Sequence, residues 1–154
     1  MAIENKKYQK PKRTVDTSVM MYGKMPPQAM EVEAAVLGAL MLEPHKVSDV
    51  MEIIQSEDCF YSDANQRVFA AIKTLYSKGS TIDFMTVSDE LRNRQELEMV
   101  GGSYYVTGLT RDVVSSANIE EHSRIVVQKY LLRELIRVCG ETISEAYQDR
   151  TDPF

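Results

Sequence analysis

The longest regular pattern in the sequence lies in residues 117–149, where the chain can form one long helix without an internal proline. At 100° per residue, the apolar side chains of this helix spread over about half of the cylinder. A helix that lies on a single core needs an apolar stripe only somewhat over about 100° wide. We therefore expect two neighbours on adjoining sides of this helix. Its apolar face consists of Ile125, Val127, Leu131, Leu132, Leu135, Ile136, Val138, Cys139 and Ile143.

The length of this helix leads to the same expectation. Residues 118–149 would span about 48 Å as a helix. The roughly 90 residues between Pro26 and Ser116 would fold into a globule only about 30 Å across. Part of the helix should therefore extend past that globule, and something outside it should cover the apolar face.

The composition is typical of one ordinary globular domain, with 154 residues of which 44% are hydrophobic. The sequence has no apolar run long enough to span a bilayer and no apolar segment of the signal-peptide type, so we expect a cytoplasmic protein with no membrane partner. Cys59 and Cys139 are far apart, and only His45 and His122 could join them as zinc ligands. We expect free thiols and no metal site.

The net charge of −5 hides an asymmetry along the chain. Residues 1–25 hold six Lys/Arg against Glu4 and Asp16, a charge of +4, while the remainder has twelve basic and twenty-one acidic residues, a charge of −9. Residues 1–25 are predicted to be a disordered basic tail. A tether that meets nucleic acid or a partner remains an alternative for this tail. An acidic body is a poor platform for phosphate backbones.

Residues 26–116 are predicted to form a helical head that starts with the run MEVEAAVLGALMLE. Glu31 and Glu33 favour the start of this first helix by meeting its positive end, and Pro44 ends it. Gly38 is expected to permit the close approach of another helix, because glycine otherwise costs about 1 kcal/mol within a helix.

Four more short helices are expected in the head. One covers about residues 46–54. The next has Asp63 as N-cap, Gln66 as its capping partner and Gly79 as its stop; a fourth has Asp83 as N-cap; and a fifth follows Gly101-Gly102.

No window alternates with the strand period of two, so the predicted fold is all-α. It comprises a compact head of about five short helices followed by the long helix in residues 117–154, with Asn118 as N-cap. The last residues, TDPF, place Asp152 and Pro153 as at a helix start. This pattern indicates a fragment that is cut where the second helix of a hairpin begins.

The sequence lacks motifs of nucleotide binding and catalysis. Its only Gly-Lys pair, Gly23-Lys24, has Ser18 where the first glycine of a phosphate-binding loop would stand. Neither histidine has a second ligand at a metal-binding spacing, and no serine lies in a nucleophile elbow. We predict no catalytic, cofactor-binding or metal-binding residue. An enzyme with unrecognised catalytic carboxylates remains a rival class, which predicts a deep pocket with displaced pKa values.

A DNA-binding regulator of the helix-turn-helix type is the second rival, with residues 84–94 and 103–110 as its two helices. Their connection is longer than the usual three or four residues. The would-be recognition helix SYYVTGLT also carries no Arg, Lys, Asn or Gln to contact bases.

Four blocks follow one another along the chain in a specific order and spacing: PPQAMEVEAAVLGALMLE, FYSDANQRVFAAIKTLYSKGSTIDFMTVSDEL, LEMVGGSYYVTGLT and SSANIEEHSRIVVQKYLLRELI. In this order and spacing, the chain from about Pro26 to Phe154 resembles the N-terminal domain of the bacterial replicative hexameric DNA helicase, the DnaB family. The agreeing positions are Pro26-Pro27, Glu31, Glu33, Val36-Leu37-Gly38, Ile82-Asp83, Gly101-Gly102 and Ala117-Asn118-Ile119.

The resemblance implies a helical head followed by a long helical hairpin. In that family pairs of hairpins pack together, and three such pairs form a collar that binds primase; in some bacteria a helicase loader also acts on the helicase. The family's motor is a C-terminal RecA-like ATPase, which uses ATP and Mg²⁺ and acts on DNA. That motor has no counterpart in this sequence, so the chain by itself is expected not to be an enzyme.

The resemblance also suggests what covers the long helix: a hairpin partner on one flank and a second subunit on the other. In the alternative interpretation the same residues merely cover the head. The predicted hairpin and subunit contacts are Val127, Leu131, Leu132, Leu135, Ile136, Val138 and Cys139.

Overall fold

The computed structural model describes residues 23–113 and 116–148, and helices are its only regular elements in these ranges. These residues divide into two compact units, one within Pro27–Glu134 and the other formed by residues 23–26 with residues 135–148. The α-helices are α1 (Met30–Leu42), α2 (Val47–Ile53), α3 (Asp63–Ser77), α4 (Phe84–Asn93), α5 (Leu97–Val100), α6 (Gly102–Arg111) and α7 (Ile119–Ala146). Short 3₁₀ turns cover Pro44–Lys46 and Glu57–Cys59.

The all-α prediction is confirmed, with the five expected short helices followed by a long one. The structure adds the one-turn helix α5, which the sequence did not predict. α5 ends at Val100 and is capped by Gly101, whose φ of 106° is left-handed and which leads directly into α6. Such a left-handed position favours glycine because it has no Cβ.

The core of the unit Pro27–Glu134 is assembled around α1. The second half of α1 is buried over all its faces, since Val36, Leu37, Ala39 and Leu40 are each almost inaccessible to water. α3 contributes Phe69, whose ring centroid lies 4.9 Å from that of Phe60. The other large buried residues of this core include Ile54, Val68, Ile72 and Leu91.

Gly38 brings α1 and α6 into close contact, as the sequence predicted. A Cβ at this position would lie 2.0 Å from the carbonyl oxygen of Leu109 and 2.4 Å from the Cγ2 of Val113. Only glycine fits there, because the nearest atom belongs to the backbone and cannot rotate away.

The predicted caps of α3 are half correct. Gly79, with a φ of 64°, ends the helix, and the next amide, Ser80 N–H, donates to Leu75 O at 3.0 Å. The start is one residue earlier than predicted, because the N-cap is Ser62, whose hydroxyl accepts from Asn65 N–H. Asp63 is instead the first helical residue, and Gln66 Nε2 donates to Phe60 O at 2.7 Å rather than closing a capping box.

Asp83 caps α4 as predicted. Its carboxylate accepts from the amides of Met85 and Thr86, both at 2.9 Å, and the hydroxyl of Thr86 accepts from Asp83 N–H at 3.0 Å. This reciprocal pair fixes the point at which the chain enters α4.

Two predictions lie outside the described residues, namely most of the basic tail (residues 1–22) and the helix start in residues 151–154. Among the helices that the structure describes, none is long and apolar enough to cross a membrane.

Candidate interaction surface

The predicted long helix is present as α7, which begins at Ile119 and runs through 28 residues to Ala146. The carbonyl oxygen of Asn118 accepts the first helical hydrogen bond, from His122 N–H at 2.9 Å. Glu120 and Glu121 lie in the first turn, where their charges meet the positive end of the helix.

The first part of α7 faces the core of the unit Pro27–Glu134. Ile119, Ser123 and Val126 are buried, at the spacing of one helix face. The hydroxyl of Ser123 donates to Ile119 O at 2.7 Å, so this buried polar group has a partner within the helix. Val127 and Tyr130 are half-buried and pack against the same core. Val127, one of the predicted interface residues, is therefore partly covered by its own unit.

Arg133 continues the core side of α7 and joins it to two other segments of the same unit. Its Nη1 donates to Pro27 O at 2.9 Å and its Nη2 to Cys59 O at 2.8 Å. The guanidinium also lies 5.5 Å from the ring centroid of Tyr61 and 5.9 Å from that of Tyr130. Burial lowers the pKa of Arg133, and the negative charge of Glu33 opposes this shift.

Glu33 is a buried carboxylate, only 1% exposed, whose partners come from several parts of the chain. Its oxygens accept from Tyr61 N–H at 2.6 Å and from Asn65 Nδ2 at 2.9 Å. Asn65 Oδ1 in turn accepts from the Tyr105 hydroxyl at 2.6 Å, so α1, α3 and α6 share one polar network. Burial raises the pKa of the Tyr105 hydroxyl.

This network was not predicted from the sequence. Glu33 does lie at the positive end of α1, as predicted, but nothing in the sequence marks it as buried. Arg133 likewise looks like any charged residue on a mostly exposed helix. Helical phase was the one available signal, since Arg133 falls on the same face as Ser123 and Val126.

The face of α7 opposite the core side is apolar and exposed. Within Pro27–Glu134, Leu131 is 59% and Leu132 40% exposed. By helical geometry both point away from the side that carries Ser123 and Val126. A leucine is more often found buried than open to water, so this face is a candidate contact surface.

The second unit carries the rest of the predicted interface. Leu135 is 60% and Val138 48% exposed, and Cys139 is also exposed. Ile136 is half-buried. Of the seven predicted residues, five are thus open to water and two, Val127 and Ile136, are partly covered.

The exposed and half-buried apolar residues in the second half of α7 follow two heptad-like series on the helix. We call them stripe A, which is Leu131, Leu135 and Val138, and stripe B, which is Leu132, Ile136, Cys139 and Ile143. Within each series the steps of four and three residues keep the side chains on one line, and the two lines lie about 100° apart. This spacing fits two neighbours on adjoining sides.

Part of stripe B borders a groove in the second unit. The groove has a volume of about 340 Å³, and its lining is almost entirely apolar. Pro26, on its far wall, is buried, whereas the neighbouring Met25 is exposed. The lining residues are Lys24, Met25, Pro26, Leu135, Ile136, Cys139 and Gly140.

The structure weighs against the helix-turn-helix alternative. α5 lies between the two candidate helices of this motif, and its residues Leu97 and Val100 are buried in the core. The one basic residue of α6, Arg111, is paired with Asp112 at 3.1 Å. Apart from Arg111, the helix carries no charged or amide side chain that could contact a base pair.

The enzyme alternative also lacks a site within the part of the chain that the structure describes. No group of three His, Cys, Asp or Glu that could hold a metal ion is found there. The carboxyl groups with lowered pKa, Glu43 and Glu90, owe this chiefly to hydrogen bonds from Ser116 and Arg94 respectively. These are ordinary contacts between helices and loops rather than acid–base machinery.

Comparison with known proteins identifies the family. Residues 25–128 match the model of the DnaB-like helicase N-terminal domain. The chain belongs to the DnaB-like helicase N-terminal domain family. The match begins one residue before Pro26, where the resemblance read from the sequence also began, so that resemblance is confirmed.

A curated relative of this DnaB-like domain is the replicative DNA helicase DnaB of Rhodothermus marinus. It is 42% identical over 132 residues, which are 86% of this chain and 14% of that protein. The chain thus spans about one seventh of the length of this relative.

Two solved structures share the fold. The N-terminal domain of DnaB helicase from Mycobacterium tuberculosis superposes with a TM-score of 0.77 at 35% identity, over 80% of this chain and 87% of that one. A DnaB-like replicative helicase, described with its interactions with primase, gives a TM-score of 0.64 at 24% identity, over 74% of this chain and 27% of that one. The all-α DnaB-type domain is therefore shown by both sequence and fold.

Proposed function

We propose that this chain is the assembly and docking domain of a replicative DNA helicase, and that the exposed face of α7 binds a second copy of the domain. The observation that carries the proposal is the apolar side of α7 that points away from the core, with Leu131 and Leu135 both more than half exposed. A helix apolar on two opposite sides is stable in water when both sides are covered.

The strength of this contact can be estimated from the exposed residues. Covering the open part of each leucine or valine of stripe A would contribute about 1 kcal/mol, half the value for a fully exposed side chain. Two copies contribute about twice three such side chains, or roughly 6 kcal/mol, while association costs about 4–15 kcal/mol. The domain alone should therefore self-associate weakly, and a hairpin partner helix that adds apolar area would strengthen the contact.

Sedimentation velocity at increasing protein concentration tests this proposal. The wild-type chain should show a sedimentation coefficient that rises with concentration. Leu131→Asp with Leu135→Asp should remove the rise, because it puts two charges into stripe A. The matched control is Ser144→Asp with Gln148→Asp, which adds the same charge at two exposed positions outside stripe A: Ser144 lies within α7, and Gln148 lies two residues past its end.

The control should behave as the wild type does. Circular dichroism should show the same helix content in all three proteins, since the core does not include these positions. Unaltered sedimentation of the Leu131→Asp, Leu135→Asp protein would refute the proposed surface.

Further parts of the proposal come from the family. We propose that in the complete protein these domains form a collar of three pairs. Primase, and in some bacteria a helicase loader, would dock on this collar. A RecA-like motor domain would bind ATP, Mg²⁺ and DNA. A solved DnaB-like helicase of this fold is described with its interactions with primase, and this supports primase docking.

Isothermal titration calorimetry of the domain with the C-terminal domain of its cognate primase tests this part of the proposal. The titration should give saturable binding, and the absence of any binding heat at high micromolar concentration would refute it.

A further inference from the structure

We propose that Arg133 is a positioning residue for the contact surface on α7. By binding Pro27 and Cys59, it holds the part of α7 that carries Leu131 and Leu132 at one fixed place on its own unit. Stripe A, which begins at Leu131, is thereby prepared for a partner. The link to stripe A rests on the proposed function, whereas the fixed place of the helix does not.

The apolar contacts between α7 and the core become few after Val126. Val126 is 1% exposed, but none of residues 127–134 is buried. In this range the helix meets the core through Val127, Tyr130 and Arg133, each of them half-buried. Arg133 lies seven residues past Val126, about 10 Å further along the axis. Apolar burial alone therefore leaves this part of the helix weakly held.

The contacts of Arg133 define one position of the helix. Its two terminal nitrogens donate to carbonyls from two separate segments, Pro27 O at 2.9 Å and Cys59 O at 2.8 Å. The donors of a guanidinium are fixed in one plane, so both bonds form together at only one distance and tilt of α7. A shift of about 1 Å away from either carbonyl lengthens that bond beyond the normal range.

The groups that receive Arg133 are themselves held in place. Cys59 closes a 3₁₀ turn, in which its N–H donates to Ser56 O at 3.2 Å. Tyr61, whose ring centroid lies 5.5 Å from the guanidinium, is fixed through its N–H, which donates to the buried Glu33 at 2.6 Å. These groups cannot follow α7 when it moves. The helix therefore docks on a rigid support.

A fixed helix matters for binding even though Arg133 lies outside the contact surface. By helical geometry, Leu131 lies about 160° around the axis from Arg133. When only a fraction of the molecules holds the binding orientation, the apparent dissociation constant rises by the inverse of that fraction. Loss of Arg133 should thus weaken self-association without removing any contact with the partner.

Pulsed electron paramagnetic resonance tests the position of the helix directly. Spin labels are attached through Ser80→Cys, an exposed site on the head, and Leu131→Cys, in a Cys139→Ser background. Cys59 labels slowly, because it is buried and burial raises the pKa of its thiol. The label at position 131 disrupts stripe A, so the distance is measured within one chain.

The distance distribution should be narrow when Arg133 is present. Arg133→Gln should about double its width, because the end of the helix is released from its support. Arg133→Lys keeps a charged donor without the planar fork and should give an intermediate width. The matched control is Arg137→Gln, which removes an exposed arginine paired with Glu141 and should leave the width unchanged.

This measurement separates positioning from a role in stability alone. A residue that only stabilises the fold lowers the unfolding temperature but leaves the distribution of the folded chain narrow. Circular dichroism at the temperature of labelling identifies the folded variants, and Arg133→Lys decides the matter if Arg133→Gln does not fold. A width equal to that of the wild type in the folded variants would overturn the proposal.

Sedimentation velocity of the unlabelled chains tests the link to stripe A. Arg133→Gln should raise the dissociation constant for self-association about threefold, as expected if one third of the molecules keep the binding orientation. Broadened distances with unchanged association would overturn this link. A wild-type chain that does not self-associate would instead refute the proposed function, while the distance measurement would still decide whether Arg133 positions the helix.

Discussion

α1 and the part of α7 after Leu131 are both rich in apolar residues, yet they end in opposite environments. Val36, Leu37 and Leu40 of α1 are completely buried, whereas Leu131 and Leu135 of α7 are more than half exposed. α1 is surrounded by helices of its own unit, and α6 even contacts its backbone at Gly38. The comparison shows that an apolar helix surface demands a neighbour but does not specify which chain supplies it.

The two helices should differ most in the free energy of unfolding that is lost when a leucine is replaced by alanine. Leu37→Ala should lower the free energy of unfolding by about 4 kcal/mol, because it leaves a cavity in a packed core. Leu135→Ala should change it by less than about 0.5 kcal/mol in dilute protein. Chemical denaturation at low concentration measures both, and equal losses would mean that Leu135 is covered within the chain.

The glycines of the two helices should respond with opposite signs. Gly38→Ala should destabilise the domain by about 3 kcal/mol, because the new Cβ overlaps the rigid backbone of α6. Gly140→Ala should stabilise it by up to about 1 kcal/mol, since nothing lies within 4 Å of its Cβ position and alanine favours a helix. Thermal unfolding monitored by circular dichroism gives both values. A neutral Gly38→Ala would contradict the close approach of α1 and α6.

Substitution of Arg133 and of Arg137 tests how far along α7 the contacts with the core extend. Arg133→Ala should cost about 2 kcal/mol, because it removes charged hydrogen bonds to Pro27 O and Cys59 O. Arg137→Ala removes an exposed pair with Glu141, which contributes about 0.5 kcal/mol. Urea denaturation compares the two variants. Similar losses would show that the second arginine is also held by contacts beyond its pair.

The smallest expected effect concerns ion pairs and pH. Hydrogen bonds from Arg94 and Lys78 lower the pKa of Glu90 in the folded protein. The stabilisation is therefore complete above the ordinary glutamate pKa and is lost as pH falls through the lowered folded value. Glu90→Gln should cost about 1 kcal/mol near pH 7 and less in acid.

Asp89→Asn is the matched control for this variant, because Asp89 is the neighbouring carboxylate and forms an exposed pair with Arg92. It should cost less than about 0.5 kcal/mol. Denaturation curves between pH 3 and pH 7 measure the free energy of unfolding of both variants and of the wild type. A Glu90→Gln loss that persists unchanged at the acid end would exclude the ion pair as its cause.

Local chemistry explains what could be predicted from the sequence. Helical periodicity identified the long helix, Asp83 and Gly79 marked helix ends, and Gly38 marked a close approach, because each depends on nearby residues or on one backbone property. The same local rules failed by one residue at Ser62, where two good N-cap residues stand side by side. α5 was missed because a single turn is too short for its periodicity to be recognised.

The sequence by itself determined that the chain is all-α and that its last helix carries more apolar surface than one neighbour covers. Only the tertiary structure decided which of these residues face the core, that Val127 lies at its edge, and that Glu33 is buried within reach of the charge of Arg133. The physical reason is that burial depends on contacts between segments far apart in the chain. A carboxylate in the first turn of a helix looks the same in sequence whether water or Asn65 is its partner.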